Sequence, residues 1–213
     1  MPVQAQFNTI AKTPERYKVE ALQEGMKKPE PTPESMAPVQ ETSTKPADES
    51  KKLWIDRYLS VSYPLQRIRI TSPYGYRKDP FTGKRKFHGG IDLHARGEQV
   101  LAMMEGVVVK VGQDKTSGKY VTLRHGNYTV SYCHLSRVLA AKGTVVRPRD
   151  AVGITGSTGR STGEHLHITC KLNGKNINPS VLFDYIKSMQ QECVSALAGL
   201  LSLIHISEPT RLL

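Results

Sequence analysis

From Ile68 onward the chain carries apolar and polar residues in short alternating runs broken by glycine. Val107-Val-Val-Lys-Val111, Tyr120-Val-Thr-Leu-Arg124, Tyr128-Thr-Val-Ser-Tyr-Cys-His134 and His165-Leu-His-Ile-Thr-Cys-Lys-Leu172 have the length and the β-branched and aromatic content of strands. Gly106, Gly112, Gly118, Gly126, Gly143, Gly153 and Gly174 punctuate them. The pattern predicts a mainly β, antiparallel domain, and Asn173-Gly174 predicts a type I′ hairpin turn. Short helices are expected on either side. Leu53, Trp54 and Tyr58 share one side of a helix that can dock on the domain behind it, and Val181 to Met189 has helical spacing with Ser180 as its cap.

Upstream the pattern disappears. Residues 27–52 hold 5 of the 13 prolines and no Leu, Ile or aromatic residue. Such a segment has nothing to bury against its ordering entropy, which predicts an extended tether. The expected organisation is a signal-peptide remnant at 1–5, where Val3 and Ala5 have signal-peptidase spacing, and an N-terminal segment at 6–26. The tether over 27–52 and a docking helix with its lead-in over 53–69 come next. A β domain over 70–187, a helical extension over 188–200 and a tail over 201–213 complete the chain. That tail, Leu201-Ser-Leu-Ile-His-Ile-Ser-Glu-Pro-Thr-Arg211, resembles translated sequencing-adaptor read-through, so it is expected to be non-native and His205 receives no role.

Composition narrows the function classes. The 213 residues suit one ordinary domain plus extensions. Thirty Lys+Arg against 19 Asp+Glu leave a formal charge of +11, which favours an acidic partner. Nucleic acid is not expected, because the basic residues are scattered and no helix-turn-helix or aromatic-interleaved pattern accompanies them. No apolar run approaches the roughly 18 residues of a membrane span, so no transmembrane segment is expected within this sequence.

The histidines carry the chemistry. His88 precedes Gly89-Gly90-Ile91-Asp92, His134 ends a strand, and His165 and His167 are two apart on another, hence on one face. Two imidazoles and a carboxylate form a sensible zinc ligand set with the fourth tetrahedral position open, the arrangement of a catalytic site. His94 shares strand parity with Asp92 and is a rival ligand, whereas His125, beside Gly126 at a turn, is expected to be exposed.

Four segments together resemble the lysostaphin or LytM type of zinc endopeptidase: Ser72-Pro-Tyr-Gly-Tyr-Arg-Lys-Asp-Pro80, His88-Gly-Gly-Ile-Asp92, Tyr132-Cys-His-Leu-Ser136 and Gly153 through His167. The resemblance covers about Ile70 to Ile186. It implies an antiparallel β-sheet groove enzyme that hydrolyses peptide cross-links or bridges in bacterial peptidoglycan, with one zinc ion per chain. It further implies export to the periplasm or cell envelope and the prospect of an envelope protein as partner. Matched residue by residue, His88, Asp92 and His167 take the metal-ligand roles and His134 and His165 the catalytic roles, with the division between these two open. A different strand register would exchange His165 and His167. Some relatives have lost ligands and serve as non-hydrolytic wall-binding modules or amidase activators, but all five positions are present here. The sequence departs from the family pattern at Glu98-Gln99, where Thr-Pro is usual, and at Glu164, where Pro is frequent and where a carboxylate can alter acidity near the site.

Tyr132 shares parity with His134 and is expected to line the groove, and the forked donors of Arg77 suit a substrate carboxylate. Cys133 and Cys170 both fall on the parity opposite the metal histidines and are expected away from the ion, as free buried thiols or, after export, as a disulfide.

Overall fold

The structure is a computed structural model and describes residues 46–207. Helix α1 (Pro46–Leu59) opens it, with Asp48 and Glu49 in the first turn and Arg57 in the last, charges that complement the helix dipole. Pro46 is tolerated because the first helical position needs no amide partner. The expected tether over 27–52 is therefore corrected at its end, where residues 46–52 are helical. Its remainder, the 1–5 and 6–26 segments and the last residues of the tail lie outside the described residues.

Among the described residues thirteen short strands come after α1: β1 (Ile70–Ser72), β2 (Gly75–Lys78), β3 (Arg85–His88), β4 (Ile91–His94), β5 (Gln99–Leu101), β6 (Gly106–Asp114), β7 (Gly118–His125), β8 (Tyr128–Leu135), β9 (Arg137–Val138), β10 (Val145–Val146), β11 (Ala151–Ile154), β12 (His165–Leu172) and β13 (Lys175–Ile177). Helix α2 (Ser180–Ser207) closes the described chain. The main sheet runs β1-β4-β12-β8-β7-β6-β10, with β13 added to β12; β5-β11-β9 and β2-β3 form two smaller sheets. Each of these pairings is antiparallel, so the predicted fold class holds. Asn173 (φ 50°) and Gly174 (φ 80°) make the β12–β13 turn with both residues left-handed, as type I′ requires.

Strand β12 positions the site. Leu166, Ile168 and Cys170 are fully buried beneath the sheet with Ile91, Leu93, Val121, Leu123 and Val130, while His165, His167, Thr169 and Lys171 line the opposite, open face. One strand thus joins core and site through its two-residue period.

Helix α2 is longer than expected, 28 residues, and runs through the 188–200 extension into the tail as far as Ser207. The next proline is Pro209, and Gly199 alone does not stop it. Leu182 and Ile186, one turn apart, are fully buried. Arg57 of α1 reaches Glu192 of α2 at 3.4 Å and the Met189 sulfur at 3.0 Å, so the expected docking helix packs along α2. Among the described residues no helix is long and apolar enough to cross a membrane.

Candidate metal centre

An open cleft of about 1080 Å³ runs over the exposed face of β6, β7, β8 and β12, flanked by the β2–β3 hairpin and by residues 160–164. At one end His88, Asp92 and His167 converge. His88 Nε2 lies 3.1 Å from His167 Nδ1 and 3.2 Å from Asp92 Oδ1, and His167 Nδ1 is 2.6 Å from Asp92 Oδ1. Ligand atoms about 2.0–2.2 Å from a tetrahedral zinc ion are roughly 3.3 Å apart, so the two separations from His88 match such an ion, and the His167–Asp92 hydrogen bond would open by about 0.7 Å to admit it.

The local sequence explains the convergence. Register pairs His167 with Asp92 across β12 and β4, while His165 pairs with His94. His88 ends β3, and Gly89-Gly90 lets the chain reverse into β4, returning the carboxylate four residues later to the imidazole. Gly90 also makes room for one of the converging rings. A Cβ there would sit 2.7 Å from His167 Cε1 and 2.4 Å from the Ile168 carbonyl oxygen, so only glycine leaves space for the ring.

Second partners fix the rings. His88 Nδ1 donates to the Pro73 carbonyl at 2.8 Å, which sets its tautomer and leaves Nε2 as the donor atom for a metal. Burial works to raise the Asp92 pKa, but hydrogen bonds and charge from His167 and His88 outweigh it and hold the carboxyl well below the usual range. Arg77 Nη2 lies 3.4 Å from the other carboxylate oxygen, Oδ2. The residue expected to meet substrate thus sits at the site with its guanidinium against Asp92.

His134 and His165 stand beside the cluster, their ring centroids 4.8 Å apart, and His134 is 5.6 Å from the His167 ring. His134 Nδ1 donates to the Thr158 carbonyl at 2.8 Å, and His165 Nδ1 donates to the Gly163 carbonyl at 2.8 Å. Both rings therefore carry the Nδ1 proton and keep Nε2 as an acceptor. His165 Nε2 is 3.6 Å from Asp92 Oδ1. Burial, opposed by the hydrogen bond to Thr158, lowers the His134 pKa and favours the neutral ring. The Thr158 carbonyl is in reach because Gly118 and Gly159, both left-handed, bring their backbones together where any Cβ would collide.

A clasp steadies the adjoining loop. The buried Asp79 carboxylate accepts from the Phe81 and Thr82 amides at 2.8 and 3.0 Å and from Arg160 Nη2 at 3.2 Å, and the Arg160 guanidinium lies 4.6 Å over the Phe81 ring. Arg160 in turn precedes Ser161, whose hydroxyl is 3.2 Å from His165 Nδ1. The two departures from the family pattern meet: Glu164 accepts a hydrogen bond from the Gly97 amide, next to Glu98.

Three expectations are corrected. Tyr132 does not line the groove; it is fully buried in the core. Cys133 is the residue that lies over the cleft, directly opposite His167 in register. Both follow from His134, whose left-handed backbone (φ 62°) breaks the strand period and turns its ring to the side Cys133 already faces. Cys170 does point away from the site, so the two cysteines lie on opposite faces and are free, with burial raising each thiol to about 12. His125 is not exposed: it is 1% accessible, and its Nδ1 donates to the Glu105 carbonyl at 2.9 Å. The rival ligand His94 is exposed and stands outside the cluster. Sequence reasoning misses two further residues or pairs: Gly90, legible as the second glycine of the His88 loop, and the Asp79–Arg160 pair, which nothing in the sequence joins.

The match to known proteins agrees with this geometry. Residues 86–179 match the model of peptidase family M23. The DD-carboxypeptidase/endopeptidase Mpg of Neisseria meningitidis is 42% identical over 118 residues, 54% of this chain and 27% of that protein. A zinc-containing peptidase from Vibrio cholerae superposes with a TM-score of 0.51 at 31% identity, covering 55% of this chain and 37% of that one. The catalytic domain of a mutant of the prophage-encoded M23 protein EnpA from Enterococcus faecalis superposes with a TM-score of 0.50 at 30% identity, covering 57% of this chain and 95% of that domain. The chain spans only about a quarter of the length of curated relatives such as Mpg. Motif order, sheet topology and these matches together lead to one conclusion: the chain belongs to peptidase family M23, the lysostaphin type.

Proposed function

We propose that the chain is a zinc-dependent endopeptidase that hydrolyses peptide cross-links or bridges of bacterial peptidoglycan. The observation that carries this reading is the convergence of His88 Nε2, Asp92 Oδ1 and His167 Nδ1 within 2.6–3.2 Å of one another at the end of an open cleft, beside two further imidazoles. His88, Asp92 and His167 would hold one zinc ion per chain, and that ion would supply Lewis acidity to polarise a carbonyl and acidify water.

His134 and His165 move the protons. The His134 Nδ1 proton is committed to the Thr158 carbonyl and burial favours the neutral ring, so Nε2 is free to accept a proton from the attacking water and to pass it to the leaving amine. His165 is held at Nδ1 by Gly163 and faces Asp92 through Nε2, which places the ring beside the oxygen where the oxyanion develops. Such groups contribute about 10²–10⁴ in rate. Arg77 holds the far oxygen of Asp92, so that Oδ1 is the atom presented to the ion.

The names of the relatives support the substrate and the metal, since one is a DD-carboxypeptidase/endopeptidase and another a zinc-containing peptidase. Action on peptidoglycan implies a protein outside the cytoplasm, in the periplasm or cell envelope, with residues 70–187 as the peptidase domain. The presence of all five histidine and aspartate positions disfavours the alternative of a non-hydrolytic wall-binding module or amidase activator. Digestion of purified sacculi, with the released muropeptides identified by mass, tests the proposal: new free amino and carboxyl termini in the peptides, abolished by a chelator and restored by zinc, are expected. Binding to sacculi without release would contradict it.

A further inference from the structure

Beyond the metal, the cleft floor is ordered in rows across the sheet. The antiparallel registers place Lys110 opposite Thr122, Thr122 opposite Ser131, and Ser131 opposite Thr169, one residue from each of β6, β7, β8 and β12. All four line the cleft. Thr122 Oγ1 and Ser131 Oγ are hydrogen-bonded at 2.9 Å, so the row is a band of hydroxyls ending in a lysine. One row further on, Thr129 stands opposite Lys171, and both also line the cleft. His167, Thr169 and Lys171 lie on one face of β12, so the hydroxyl band is about 7 Å and Lys171 about 14 Å along the strand from the metal row.

Charge divides the cleft into two ends. The cations near the metal are committed, Arg77 to Asp92 and both Lys86 and Arg160 to Asp79. Lys171 is exposed and has no ion pair among the described residues. Lys110 lies over the Tyr120 ring at 5.2 Å, with its ammonium held by the Tyr120 side chain and attracted by Asp114, and it forms no ion pair among the described residues. The far end thus offers two ammonium groups and a set of hydroxyls to whatever lies in the cleft.

We propose that this floor is a binding site for an extended peptide bearing free carboxylates, which makes the chain selective for anionic over amidated or glycyl wall peptides. The proposal rests on the peptidoglycan reading above. An extended peptide advances about 3.3–3.6 Å per residue, so one running along β12 from the metal row brings a residue about four positions away to Lys171, whereas one crossing the hydroxyl row over the three strand spacings to β6, about 14 Å, brings a residue about five positions away to Lys110. The hydroxyl band donates to and accepts from peptide groups between them. A lysine paired with a carboxylate in a partly enclosed cleft contributes a charge-assisted hydrogen bond, enough for about a tenfold preference.

The test is binding, measured by calorimetry on the zinc-loaded protein. The probes are a short peptide with a reduced, uncleavable central bond and two side-chain carboxylates, and its twin with two carboxamides. The wild type is expected to bind the carboxylate form about tenfold more tightly, with the preference shrinking at high salt. Lys171→Gln and Lys110→Gln are each expected to reduce that preference, and the double variant to abolish it while binding the carboxamide twin as the wild type does. Equal affinity of the wild type for the two twins, or a preference that survives in the double variant, would overturn the proposal. Cleavage of the carboxylate and carboxamide peptides, each made with an ordinary central peptide bond, is followed in parallel. A chain that prefers carboxylates but cleaves nothing contradicts the hydrolase reading and upholds the anionic site, whereas one that cleaves without preference does the reverse.

Discussion

Gly90→Ala adds one methyl group in the most constrained place in the site. Its Cβ would lie 2.4 Å from the Ile168 carbonyl oxygen, 2.7 Å from His167 Cε1 and 2.8 Å from His167 Nε2, where ordinary contacts begin at 3.4 Å. The carbonyl belongs to β12, whose register with β4 pairs Ile168 with Ile91, and it cannot retreat without opening that pairing. The methyl group therefore strains the β12 pairing at Ile168 and also pushes the neighbouring ring by about 0.7 Å, the difference between 3.4 and 2.7 Å, so His167 leaves its place. Metal ligands tolerate only about 0.2 Å. Overpacking of this kind costs about 1–3 kcal/mol of stability, and disturbed ligand placement lowers zinc affinity by about 10²-fold. Zinc affinity by competition with a chromophoric chelator, with thermal unfolding to verify the fold, reads both effects. Gly89→Ala is the control, because its Cβ would meet nothing within 4 Å. Normal zinc affinity in folded Gly90→Ala, or equal damage from both substitutions, would refute the packing argument.

Three further outcomes rest on particular contacts. Arg160→Ala removes the guanidinium from Asp79 and loosens the segment that holds His165; turnover is expected to fall by about tenfold with zinc content unchanged, and loss of zinc would show that the clasp supports the ligands instead. Burial, opposed by the Glu105 hydrogen bond, holds the His125 pKa below its ordinary value, so the unfolded chain binds more protons between the two values. The stabilisation from neutral His125 is therefore complete above the unfolded pKa and is lost as pH falls through the folded one. A His125→Asn variant should show a shallower decline of thermal stability from about pH 7 to about pH 5 than the wild type, and identical slopes would rule the effect out. Thiol titration of the unfolded, unreduced chain should find Cys133, Cys170 and Cys193 all reactive, since the first two occupy opposite faces; a deficit of two would mean that a bridge forms.

The convergence of His88, Asp92 and His167 is legible in the sequence because it depends on local rules. His165 and His167 share a face through the strand period, and the glycines after His88 allow the turn that returns Asp92. Parity fails where the backbone leaves the strand: one left-handed residue, His134, exchanges the expected positions of Tyr132 and Cys133. His125 is hidden because the glycine beside it marks a turn, yet the ring folds inward to the Glu105 carbonyl. The clasp between Asp79 and Arg160 joins residues 81 apart, a separation that only the folded chain closes. The start of α1 is masked by a proline-rich composition in which Pro46 is a helix opener.

The central claim separates metal binding from proton transfer, and one experiment addresses both: zinc content after dialysis and peptide release from peptidoglycan, measured on His88→Ala, Asp92→Ala, His167→Ala, His134→Ala and His165→Ala. The first three remove one of three converging ligand atoms and are expected to lose both zinc and hydrolysis. The last two leave that set intact and are expected to keep near-stoichiometric zinc while turnover falls by about 10²–10⁴. Zinc lost from His165→Ala but kept by His167→Ala would exchange their roles, and zinc kept by all five variants would contradict the metallopeptidase account itself.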